Sequence, residues 1–215
     1  MSEQITLQEL VTQIIEDIGL DPQNPSMLPD PAAINYYVFE NDRKLFLEQD
    51  VECQAMEIAR LILRWNLEDR DIPVEQRKPI TLYVMSGGGS LYYMWTLVDI
   101  MLASKTPIIT VNLGLAASAA SLIFLAGSQR LMLQNSVVVI HQGSTELSGD
   151  ANKILDTVDN YKTELERMKA YILSRTTIPV RLFNKKNKDD WYIDPKTCME
   201  YGICHTLVES IDQII

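Results

Sequence analysis

The stretch Pro107–Gly127, PIITVNLGLAASAASLIFLAG, decides how this chain folds. It begins with PIITVNL, rich in β-branched residues, which reads as a buried strand. The small-residue run GLAASAAS follows and opens a helix that closes at Gly127. A buried strand passing at once into a helix is one βα step of a mainly parallel sheet. Two serines, Ser118 and Ser121, stand near that helix start. The first N–H groups of a helix lack internal partners and carry partial positive charge, so a hydroxyl there can be a nucleophile beside oxyanion donors. The plainer reading is close helix packing through alanine and serine. Only the surrounding sequence can decide between the two.

Working outward, the same alternation repeats. KLFL is a short strand, and DVECQAMEIARLILRWN is a helix with Met56, Ala59 and Leu63 on its inward face. PITLYVM is a strand that ends abruptly in SGGGS (Ser86–Ser90), and LYYMWTLVDIMLAS is the next helix. After Gly127 come a strand pair, RLML and VVVI, and a long helix from about Gly149 to Arg175. In that helix Ala151, Ile154, Val158, Tyr161, Leu165, Met168 and Ile172 alternate steps of three and four residues. The stripe suits either packing on the chain's own sheet or a projecting helix that packs on a neighbouring subunit.

The N-terminal region reads differently. TLQELVTQIIEDIG forms a short amphipathic helix with capping-box spacing between Thr6 and Glu9. DPQNPSMLPDP then places four prolines in eleven residues, an extended linker. Residues 1–31 are therefore expected to be an appendage, and residues 32–215 the main domain.

Composition narrows the function. The 215 residues are 47% apolar and 22% charged, as in soluble globular chains. A net charge of -10 argues against nucleic-acid binding, which needs clustered cations. The three cysteines form no CxxC pair, which suits a reduced, cytoplasmic setting and no disulfide framework. Two histidines without paired Cys/His spacing predict no metal. No cofactor is expected, since SGGGS lacks the spacing of dinucleotide and phosphate loops. The start MSEQITLQELV has no basic and apolar leader, and the longest apolar run is too short to span a membrane.

Two histidines could serve a serine. His141 follows the buried strand VVVI, at a strand end where α/β folds place sites, and His205 lies in GICHTLVES. An orienting carboxylate could come from Asp189, Asp190 or Asp194 in KKNKDDWYIDP, and spacing alone does not choose among them.

Together these stretches resemble the proteolytic subunit of the Clp protease, the ClpP family of serine peptidases. VMSGGGS is similar to that family's I-N-S-P-G-G-S, GLAASAAS to its nucleophile motif G-x-A-A-S-M-A/G, and VVIHQGS to its M-I-H-Q-P. NDRKLFL resembles its D-R-I-I-F-L strand, and KDDWYIDPKTCMEYGICHTLVES its C-terminal tail. The likeness runs from about Asn35 to the C-terminus. It implies a ClpP/crotonase-like α/β fold and peptide-bond hydrolysis through an acyl-enzyme. Ser118 would attack, His141 would accept and return the proton, and Asp190 would orient His141, with Asp189 in reserve. The backbone N–H groups of Gly88 and Ala119 would hold the oxyanion. The resemblance also implies heptameric rings stacked as a tetradecamer, polypeptide substrates and a AAA+ unfoldase partner, with the long helix interlocking the rings. The chain differs from the family pattern at Gly87 and Gly143, both prolines there, and at Ala119, a methionine there. Two other classes compete: a non-catalytic ring subunit, and a crotonase-type acyl-CoA enzyme that uses related oxyanion donors without a Ser-His-Asp set.

Overall fold

The computed structural model describes residues 37–143 and 148–215. The expected N-terminal helix and proline-rich linker lie outside these residues. The chain divides into two compact units, 1–45 and 46–215, and all that follows concerns the second. Strand β1 (Lys44–Leu47) ends in it, and the remaining strands are β2 (Ile80–Ser86), β3 (Ile108–Ala117), β4 (Gln129–Met132), β5 (Val137–Ile140), β6 (Trp191–Ile193) and β7 (Thr206–Leu207). The helices are α1 (Cys53–Glu68), α2 (Leu91–Ala103), α3 (Ala119–Ala126), α4 (Ala151–Arg175), α5 (Val180–Lys186) and α6 (Pro195–Glu200). The fold is the expected α/β arrangement around a mainly parallel sheet of order β1-β2-β3-β4-β7, with β5 and β6 branching from β3.

β3 is the hub. Its first half pairs with β4, from Ile109 opposite Gln129 to Asn112 opposite Met132. Its second half pairs with β5, Leu115 to Ala117 running beside Val137 to Val139. RLML and VVVI are thus not partners of each other; each is bonded to β3. The fully buried Asn112 joins the two halves, its amide donating to Val137 O (2.9 Å) and its carbonyl oxygen accepting from Gly114 N (3.0 Å). This explains the main departure from expectation. The small-residue run GLAASAAS starts as strand, because β5 offers Leu115–Ala117 a ladder, and α3 begins only at Ala119. The helix is eight residues long and buried throughout, so alanine and serine are what its crowded position admits.

The inward face of α1 is Ala55, Ile58, Ala59, Ile62 and Trp65, whereas Leu63 is 56% exposed. Met56 is partly exposed, so of the three residues expected inside only Ala59 is buried. α1 packs on α2, α2 on α3, and α3 on α4. Trp95 of α2 fastens α4 by donating to Glu164 (2.7 Å), with the Arg167 guanidinium 4.0 Å above its ring. Of the apolar stripe on α4 only Met168 and Ile172 are buried; Ile154, Val158, Tyr161 and Leu165 are half-buried and Ala151 is exposed.

The buried Arg130 locks the C-terminal region to β4. It donates to the carbonyls of Gly127, Arg175, Gly202 and Ile203. Burial and the neighbouring Arg175 lower its pKa to about 10, so it stays charged at neutral pH. Cys198 and Cys204 are buried free thiols, and Cys53 is exposed. Among the described residues no helix is long and apolar enough to cross a membrane.

Candidate active site

The ends of β3 and β5 meet where the parallel ladder runs out. Ser118 follows the last residue of β3, and its N–H donates to Val139 O of β5 at 2.9 Å. This brings Ser118 beside the end of β5, where His141 follows Ile140. β6 then runs antiparallel to β5, with Val138 opposite Ile193, Val139 opposite Tyr192 and Ile140 opposite Trp191. One step further in that register sets His141 opposite Asp190. Their side chains meet, His141 Nδ1 lying 3.0 Å from Asp190 Oδ1. Antiparallel pairing thus singles out one carboxylate from three that spacing left equivalent. Asp189 falls in the turn after α5, its N–H bonded to Lys186 O. Asp194 caps α6, accepting from the Thr197 N–H and hydroxyl, and these bonds hold its carboxyl below the usual range. His205 belongs to the Arg130 network, its Nδ1 accepting from Arg130 N (3.2 Å), and burial with two nearby arginines lowers its pKa.

Ser118 has an uncommon backbone, φ 53° and ψ -126°. A serine before a helix ordinarily turns its hydroxyl back to cap the first amides. Here it makes no cap bond, because the left-handed turn sends the side chain elsewhere. Ser121 instead donates to Ser118 O (2.6 Å) and is fully buried, so it belongs to the packing. Such strain costs about 1–3 kcal/mol and persists only where its surroundings impose it.

The glycine-rich turn lies against Ser118. A Cβ on Gly88 would stand 2.7 Å from Ser118 Cβ and 3.1 Å from Ala119 N, so the two backbones are in near contact. Gly88 has φ 108°, and its carbonyl accepts from Val51 N (2.7 Å). Its N–H donates to the Ser86 hydroxyl at 3.2 Å, and that hydroxyl donates to Gln49 O. Ala119 is the first residue of α3, so its N–H has no partner inside the helix.

Ser118 and His141 line one cavity of about 250 Å³, shared with Leu122, Tyr161, Met168 and Phe183. His141 Nε2 is buried there without a hydrogen-bond partner among the described residues, so it is not bonded to the Ser118 hydroxyl. Tyr161 was legible only as one position of an apolar stripe. In the structure its hydroxyl donates to Gln142 O (2.6 Å), directly after His141, and burial keeps the phenol protonated. Gly143 has φ 76°, where proline cannot sit, and a Cβ there would lie 3.2 Å from the same hydroxyl.

A strained serine at a strand-to-helix turn, a His–Asp pair at the next strand end and two backbone amides lie together at one end of the parallel sheet, the residue types that acyl-transfer chemistry uses. The family model described as "Clp protease" matches residues 32–211. The chain belongs to the Clp protease family. It is 31% identical over 180 residues to "ATP-dependent Clp protease proteolytic subunit 2" of Treponema pallidum, covering 83% of this chain and 88% of that protein. To "ATP-dependent Clp protease proteolytic subunit 1" of Prochlorococcus marinus it is 30% identical over 172 residues, 79% and 85% of the two chains. The proteolytic subunit of Oltmannsiellopsis viridis is 26% identical over 196 residues, 88% and 97% of the two chains.

Proposed function

We propose that this chain is a serine endopeptidase that cuts unfolded polypeptides inside a ring assembly. The observation that carries the reading is the convergence of Ser118 with the His141–Asp190 pair on one cavity. Ser118 Oγ attacks the substrate carbonyl carbon while His141 Nε2 takes the hydroxyl proton. The oxyanion accepts from the N–H groups of Ala119 and Gly88, the latter leaving the Ser86 hydroxyl. Collapse expels the amine, which receives the proton from His141. Water, deprotonated by His141, then releases the acid and frees Ser118. Asp190 holds the imidazole with Nδ1 protonated, leaving Nε2 as the acceptor.

The assembly is part of the proposal: heptameric rings stacked as a tetradecamer, in the cytoplasm, with a AAA+ unfoldase delivering substrate. The N-terminal half of α4 supports it, since its apolar stripe is only half covered by its own fold and Leu155 there is 62% exposed, which suits burial against another subunit. A fluorophosphonate probe on the full chain, with peptide mapping and native mass spectrometry, tests both parts. The expected result is an adduct on Ser118 within a particle of fourteen 24.5 kDa subunits. The second reading, a non-catalytic ring subunit, is favoured by the absence of a bond between Ser118 and His141. It would give the particle without the adduct.

Tyr161→Phe tests the support behind His141. Losing one hydrogen bond of about 0.5–1.5 kcal/mol should lower kcat/KM roughly three- to tenfold. The bond is local to the segment after His141, so the melting temperature should barely move. Peptide kinetics with unchanged rates would show that this bond does not position the site.

A further inference from the structure

We propose that the cavity beside Ser118 selects a glutamate side chain on the acyl side of the scissile bond. This rests on the peptidase reading and names its substrate class. A side chain attached next to the attacked carbonyl must lie in the space adjoining Ser118 Oγ, and that space is the cavity. Its wall is mixed: Leu122, Met168, Ile172 and Phe183 are apolar, and Ser121, Gln142 and Tyr161 stand among them. An apolar wall by itself would favour leucine or methionine.

Two further polar residues, Lys169 and Asn187, complete that wall. Among the described residues, Lys169, on α4 between Met168 and Ile172, is the only lining side chain with a fixed charge. Its ion-pair partner among the described residues is Glu166 at 3.8 Å, and Glu166 is 77% exposed. A loose pair open to solvent holds an ammonium only weakly, so Lys169 can turn to a better acceptor. Asn187, the residue that ends α5, also lines the cavity. It is half-buried, and its carboxamide makes no hydrogen bond among the described residues. The cavity thus offers a cation and an amide donor with spare capacity, set among alkyl and aromatic groups. A ligand that satisfies both has a short apolar stem ending in a carboxylate. Glutamate has that shape; leucine leaves both donors unpaired, and lysine adds a like charge. Charge-assisted hydrogen bonds to carboxylate make the choice acidic rather than merely polar.

Four fluorogenic peptides identical except for Glu, Gln, Leu or Lys before the cut, assayed on the full chain, test this. The glutamate peptide should have a kcat/KM about tenfold above the leucine peptide, with glutamine between. Lys169→Met should reverse that order, and Lys169→Glu should make the lysine peptide the best of the four. If either variant fails to fold, as thermal melting will show, the wild-type ranking decides alone. A wild type that is labelled by fluorophosphonate yet cleaves the leucine peptide at least as fast as the glutamate one overturns the proposal and leaves the peptidase reading standing. A wild type neither labelled nor active removes the peptidase reading, and the selectivity with it.

Discussion

Ser118→Ala and Ser118→Gly should each lower kcat/KM for a peptide substrate by at least about 10³-fold and abolish fluorophosphonate labelling, because each removes the hydroxyl proposed as the nucleophile. Ser121 cannot take its place, since its hydroxyl is committed to Ser118 O in the buried start of α3. The two variants should part in stability. At φ 53° a Cβ is strained, and glycine releases that strain while alanine keeps it. Part of the gain is offset by the greater freedom of glycine in the unfolded chain. A net difference of about 1 kcal/mol corresponds to roughly 2–4 °C in melting temperature for a chain of this size, in favour of glycine. Thermal unfolding of both variants measures it. Equal melting points would mean that the turn at Ser118 is not strained, and residual labelling of either variant would place the nucleophile elsewhere.

Gly88→Ala should produce the second large loss, a fall in kcat of about 10²- to 10³-fold, the range for removing one oxyanion donor. The new Cβ would meet Ser118 Cβ at 2.7 Å, Ala117 O at 2.9 Å and Ala119 N at 3.1 Å. Two of these atoms are backbone at the end of β3 and the start of α3, so neither can rotate away. A residue at φ 108° is strained for any side chain as well. The turn must move, and with it the N–H proposed for the oxyanion and the bond from Val51 to Gly88 O. Gly87→Ala provides the comparison, because nothing lies within 4 Å of a Cβ there and its backbone is not left-handed. It should retain nearly all activity. Equal kinetics for the two alanine variants would rule out Gly88 as an oxyanion donor.

The same pair of glycines shows what a sequence does and does not say. Both stand in one SGGGS run, and composition cannot tell them apart. Their difference comes from the approach of β3, a segment some thirty residues on in the chain. Gly143 is similar: its replacement of a proline reads as a loosened backbone, yet Tyr161, eighteen positions later, fills the adjoining space and holds Gln142. The buried face of α1 differs from the expected one because apolar residues cover a broad arc of that helix, wider than the face it buries. Which of them turn inward depends on where α2 packs, and Leu63 and Leu67 remain exposed.

The order of strands and helices as far as α4, the mainly parallel sheet and the segments carrying Ser118 and His141 were decided by the sequence itself, whereas α5, β6, α6 and β7 carry no periodic signal long enough to read. The former rest on local signals: β-branched runs, glycine punctuation and small residues at a strand-to-helix junction. Only the tertiary structure decided the geometry that chemistry requires. The branching of β3 carries its strand through Ala117, so that Ser118 emerges in a left-handed turn with its hydroxyl uncapped. The register of β5 with β6 sets Asp190, the carboxylate that the family resemblance also indicates and spacing alone does not, against His141 in place of Asp189 or Asp194. Both are outcomes of pairing between strands distant in the chain. A slip of one residue in register would turn every side chain to the other face of the sheet, and register exists only once the strands have met.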